Sequence, residues 1–167
     1  MRSLIFNGDS FVNNPLDIAE GIITRKGWPC ERLSDEDVAF ELIGLWSDTK
    51  AWLYFKPELS ALMLTCTFDT KVPFHLKHRF YELLALMNER VWLGAFDLSS
   101  TDNSVSFRYT LLLDEKNGAS HDQLDQMIAQ AYSECEKYYP TVQSVIWGSK
   151  APRDAMTETV FDTVGEA

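Results

Sequence analysis

What the chain has little of narrows its chemistry first. Its 167 residues hold 15 Lys and Arg against 25 Asp and Glu, a formal charge of −10. Binding a phosphate backbone needs clustered cations, so nucleic acid is a poor partner. Only three cysteines occur, Cys30, Cys66 and Cys135. They are odd in number and form no C-x-x-C, which argues against a disulfide framework or a thiolate zinc site and leaves reduced, buried thiols. No apolar run approaches the ~20 residues that cross a bilayer. Leu4-Ile5-Phe6 is too short for the core of a signal peptide, so a cytoplasmic protein without membrane contact is expected.

Catalytic signatures are equally scarce. The eight glycines are scattered and make neither G-x-G-x-x-G nor G-x-x-x-x-G-K, and no G-x-S-x-G places a nucleophile. His75 and His78, with Glu82 one turn further on, are the best metal candidates. Their H-x-x-H spacing is not the i, i+4 pair of a helical zinc site, and an ordinary His78 to Glu82 pair on a solvated face accounts for them. Cys30 is the one thiol expected at the surface, but catalysis there would need an activating base or cationic setting that the sequence does not indicate. The acidic run Ser34-Asp35-Glu36-Asp37 reads as a solvated loop. Catalytic residues, cofactor and metal are therefore all assigned as none.

What is present is core. The apolar fraction of 46% and aromatic fraction of 13% suffice for one globular domain at this length. Residues 1–13 are read as an N-terminal arm, 14–148 as a single domain and 149–167 as a tail. Asn14-Pro15 is a cap followed by a helix-starting proline, and Gly27 a stop, which predicts a first helix over 15–26. From Trp28 to Phe68 the period falls to two in three bursts: Val38, Phe40, Leu42; then Trp52, Tyr54; then Leu62, Leu64, Cys66, Phe68. Tight-turn residues part them, which predicts three antiparallel strands in a meander.

Lys71 to Leu98 organises the rest. Leu76, Phe80, Leu83, Leu84, Met87 and Val91 advance by threes and fours as a central helix. With no breaker in between, Val91 to Leu98 is read as its continuation into a strand. Val105 to Leu113 alternates as the next strand, completing a hairpin. Ser120-His121-Asp122-Gln123 fits a capping box for the last helix, which Pro140 must end or kink. In the tail, Met156, Val160 and Val164 are spaced as one weak helical stripe, and the tail is either docked or disordered.

The class is α+β, ordered as helix, three strands, helix, two strands, helix. Several strands are apolar on both sides, with Leu53 and Phe55 opposite Trp52 and Tyr54, and Leu93 and Ala95 opposite Trp92 and Phe96. A half-covered antiparallel sheet normally shows a polar second face, so this pattern points to an interface. Trp92, Phe96, Trp52 and Tyr54 are the expected contact residues.

The stretch Leu86-Met87-Asn88-Glu89-Arg90-Val91-Trp92-Leu93-Gly94-Ala95-Phe96, then Val105-Ser106-Phe107-Arg108-Tyr109, then Cys135-Glu136-Lys137-Tyr138-Tyr139-Pro140 with Val145-Ile146-Trp147-Gly148, resembles the YbjN-like family of bacterial proteins, often labelled sensory transduction regulators. The resemblance runs from about Pro15 to Pro152. It implies a fold similar to the type III secretion chaperones, which commonly dimerise and present surfaces to client segments, and it brings no catalytic residues. The expectation is a non-catalytic homodimeric module that binds a protein client. The alternative is a small-ligand sensor or enzyme using a pocket between sheet and central helix, with His75, His78 and Glu82.

Overall fold

The computed structural model describes residues 14–114 and 117–164, with side chains in the final helix described as far as Thr159. The expected arm at 1–13 lies outside the described residues. Helix α1 spans Pro15–Arg25: the Asn14 side chain accepts from the Leu16 amide at 2.9 Å, and Gly27 ends the helix at φ +75°. The meander that follows has four strands and not three: β1 (Cys30–Arg32), β2 (Asp37–Leu42), β3 (Thr49–Lys56) and β4 (Ala61–Lys71). Strand β1 is short and lacks a periodic signature. It is held from outside, since Arg32 reaches Glu20 at 2.8 Å and Asp17 at 3.2 Å on α1.

A single 3-10 turn at Phe74–Leu76 opens helix α2 (Lys77–Asn88), and β5 (Ala95–Leu98) pairs with β6 (Ser104–Leu112). Helix α3 (His121–Ile146) starts on the expected capping box, Gln123 amide to Ser120 Oγ at 3.1 Å and Ser120 amide to Gln123 Oε1 at 2.9 Å. It runs through Pro140 without ending, because Tyr138 before it and Thr141, Val142 and Val145 beyond it stay buried on one face. Packing of that face outweighs the roughly 3 kcal/mol a mid-helix proline costs. Helix α4 (Pro152–Val164) lies against α2 and α3. Ala155 and Met156 are buried there, and the Thr141 and Thr159 hydroxyls are hydrogen-bonded.

All six strands form one antiparallel sheet in the order β1-β2-β3-β4-β6-β5. One face carries the core: Phe40, Ala51, Cys66, Phe107 and Phe96 make one cross-strand row, and Val38, Leu53, Leu64 and Tyr109 the next. The buried residues of α1, α2 and α3 belong to the same apolar cluster, so these helices form one layer on one face. Leu53 and Phe55 point into that layer, and Trp52 and Tyr54 therefore point away from it.

The passage from α2 to β5 is not the seamless one that the hydrophobic pattern suggests. Helix α2 closes at Asn88, residues 89–94 form a turn, and the strand begins only at Ala95. The break is made by Gly94 at φ +83°, where an added Cβ would stand 2.4 Å from the Phe107 ring and 2.7 Å from the Arg108 carbonyl. Across this turn the Asn88 side-chain amide binds the outer edge of β5 twice. The Phe96 amide donates to Asn88 Oδ1 at 2.7 Å, and Asn88 Nδ2 donates to the Phe96 carbonyl at 3.0 Å. One side chain thus supplies both partners that a further strand would supply.

Asn88→Ala leaves a part-buried donor and acceptor unpaired at once, for an expected loss of about 1–3 kcal/mol. Urea unfolding measures the loss, and hydrogen exchange at the Phe96 amide should accelerate more than at Phe107.

Candidate interaction surface

The face of the sheet turned away from the helices is built by the residues alternate to the core. In register across it stand Asp37, Tyr54, Met63 and Thr110, and beside them Ala39, Trp52, Thr65, Arg108 and Ala95. Among the described residues no helix covers this face, and Trp52, Tyr54 and Met63 do not belong to the core cluster. Each is half-buried. The patch is bordered on the β1–β2 side by Glu31, Asp37 and Glu41. On the other side lies Arg108, whose guanidinium holds Asp97 at 2.8 Å. Aromatic and sulfur-bearing side chains at the centre of a polar rim have the composition of a protein contact surface.

The four expected contact residues divide three ways. Trp52 and Tyr54 share the open face. Phe96 is 3% exposed on the opposite, core face, against Phe107 (5.2 Å between ring centroids), Tyr138 (5.3 Å) and Phe68 (6.1 Å). It is a core residue, because the strand begins three residues later than Trp92 and its alternation is set by pairing with Phe107. Trp92 sits in the 89–94 turn, off the sheet, and is 95% exposed.

The chemical candidates do not converge. His75 and His78 face solvent; His78 stands edge-on to the Tyr81 ring at 6.3 Å. Glu82 is engaged not by His78 but by Arg153 of α4, at 3.3 Å, a partner with no signal in the local sequence. Among the described residues no three His, Cys, Asp or Glu side chains are grouped to hold a metal. Burial and the nearby Glu20 carboxylate push the Cys30 thiol up, the wrong direction for a nucleophile. Cys135 is raised well above its usual range by a hydrogen bond with Cys66 across the α3–β4 contact and by burial, again the wrong direction for a nucleophile. The acidic run 34–37 serves a turn: Ser34 Oγ donates to Asp37 at 2.8 Å and accepts from the Glu36 amide at 3.1 Å. Trp28 packs on Tyr132 at 5.4 Å.

A residue that periodicity did not single out is Glu134 on α3. Gln130 donates to one of its oxygens at 3.0 Å, while the other is buried without a hydrogen-bond partner, as is the hydroxyl of Tyr138 one turn later. Burial raises the Glu134 carboxyl above the usual range, opposed by Lys137 and Gln130, and burial with the Glu134 charge raises Tyr138.

A family model described as "putative bacterial sensory transduction regulator" matches residues 15–144. The chain belongs to the YbjN family. The crystal structure of YbjN from E. coli superimposes with a TM-score of 0.53 at 13% identity, over 76% of this chain and 90% of that one. A chain of the crystallised ExsC–ExsE complex gives 0.47 at 13% identity, over 73% and 88%. No curated protein matches the chain. At this identity the YbjN likeness establishes the shared fold.

Glu134→Gln should stabilise the protein at neutral pH. A carboxyl raised on folding binds its proton more tightly in the native state, so its ionisation costs stability as pH rises past the unfolded value of about 4.3. Thermal unfolding should show the variant with the higher Tm at pH 7 and the two proteins converging below about pH 4.

Proposed function

We propose that this YbjN-family protein is a non-catalytic cytoplasmic interaction module, regulatory or chaperone-like, that works as a homodimer and holds a segment of another protein. The observation that carries the reading is the open sheet face, with Trp52, Tyr54 and Met63 at its centre and charge at its rim. The family description, a sensory transduction regulator, fits a protein whose work is contact and not turnover.

The face suits a second copy of itself. A two-fold axis along the strands, between β3 and β4, lays Trp52 and Tyr54 of each protomer over Thr65 and Met63 of the other. The same operation brings β2, with Asp37 and Glu41, over the partner's β6, with its Arg108. Such an interface is isologous, with acid opposed to base and apolar centre to apolar centre. Sheets stacked in this way cross at about 30°.

Sedimentation equilibrium tests it. The wild type should be a dimer, and Trp52→Glu with Tyr54→Glu should weaken association by at least about tenfold, the loss expected of central aromatic contacts. Both positions are half-exposed, so the folded monomer should melt within a few degrees of the wild type. A wild type that stays monomeric at high concentration removes the dimer from this reading.

A further inference from the structure

Strand β5 covers only part of its neighbour. Its four residues, Ala95 to Leu98, pair with Val105 to Arg108, while the remaining residues of β6, Tyr109 to Leu112, pair with β4 on one side and with no described strand on the other. The direction of their backbone groups follows from the ladder. Phe96 turns its amide and carbonyl outward to Asn88, so Phe96 and Phe107 form a non-hydrogen-bonded pair and the even-numbered residues of β6 face the β5 side. The Arg108 carbonyl against Gly94, the Ser104 carbonyl accepting from the Ser99 amide and the Leu113 amide donating back to Ser60 all obey this alternation. The N–H and C=O groups of Thr110 and Leu112 therefore point into the vacated strand position.

That position is walled. Beside it lies a cleft of about 400 Å³ lined by Tyr109 and Leu111 from β6, Leu93 from the turn, and Gln123, Gln126, Ala129 and Gln130 from α3. Trp92 stands fully exposed next to Leu93, and Leu112 is 76% exposed at the strand's end. We propose that the Thr110–Leu112 edge of β6 and this cleft bind an extended segment of a partner protein by strand addition. The proposal rests on reading the chain as a protein-binding module.

The geometry fixes the chemistry of the segment. Four strand residues span about 13 Å, room for a tetrapeptide core. Its backbone continues the line of β5 and satisfies Thr110 and Leu112. Alternate side chains enter the cleft against Tyr109, Leu111 and Leu93, where the glutamines offer amide hydrogen bonds to whatever polar group enters. No lining residue carries a charge, so an ionised side chain entering there would be desolvated without a counter-charge. The overall charge of −10 repels acidic flanks. The fitting segment is extended and neutral at the cleft, with apolar residues at i and i+2 and neutral or basic flanks.

A displayed library of random peptides selected on the full-length chain supplies the probe, and the selected peptide is then synthesised with a fluorophore. It should show apolar residues at alternate positions, bind one per protomer, and slow hydrogen exchange at the Thr110 and Leu112 amides more than at Phe107. Thr110→Pro removes one outward amide without touching the β4 ladder, and Ala129→Lys puts a charged chain into the cleft from an exposed helical position. Each should weaken binding by at least about tenfold. Ala129→Lys, which disturbs no strand, keeps the test valid if Thr110→Pro fails to fold. Library selection that yields no binder, or binders that leave both amides unprotected and tolerate Ala129→Lys, overturns the proposal. So does protection of these amides in the free protein, either abolished by deleting residues 1–13, which would make the occupant the chain's own arm, or abolished by dilution, which would make it a second copy. A protein that never self-associates yet protects both amides on binding peptide supports the strand site and removes only the dimer.

Discussion

The Asn88 amide on Phe96 is the contact from which the shape of the sheet's β5 edge follows. An edge strand of four residues has little ladder of its own, and its outer backbone groups would otherwise be left to solvent or to another chain. By accepting from the Phe96 amide and donating to its carbonyl, Asn88 closes that edge with a group already fixed at the end of α2. The end of the turn is held on both sides: Gly94 is pressed on Phe107, and Phe96 packs among three aromatic rings. Strand β5 therefore starts at Ala95, and among the described residues no strand pairs with the last residues of β6 on that side.

Two surfaces result, and they meet at Thr110, whose side chain stands on the open face and whose backbone turns toward the cleft. The open sheet face is a consequence of helix placement, because α1, α2 and α3 all bury against the same side and, among the described residues, no helix covers Trp52, Tyr54 and Met63. The cleft beside β6 is a consequence of strand length. The buried, partnerless oxygens of Glu134 and Tyr138 lie on the helix that forms one wall of that cleft, and their cost falls on the stability of α3 near neutral pH.

Much of the fold was legible in one sequence. The Asn14-Pro15 cap, the Ser120–Gln123 box and the alternation of β2, β4 and β6 are local signals whose physics is complete within a few residues, and α+β order followed from them. Strand β1 was missed as a separate element because three residues carry no periodicity and are held by Arg32 reaching α1. Pro140 does not end its helix, since its penalty is local and the buried stripe around it is not. Phe96 was placed on the surface because the strand was started at Val91. A single glycine at positive φ moved the start and with it the assignment of its neighbours.

The sequence by itself determined the absence of catalytic motifs, the acidic balance, the helix caps and the apolar period of each element, because these depend on neighbours along the chain. Only the tertiary structure decided which face each apolar set occupies, that Glu82 answers Arg153 and not His78, and that β5 stops short of the end of β6. Those outcomes depend on residues far apart in the chain meeting in space, as Glu82 and Arg153 do from 71 positions away, and no local pattern encodes such a distance.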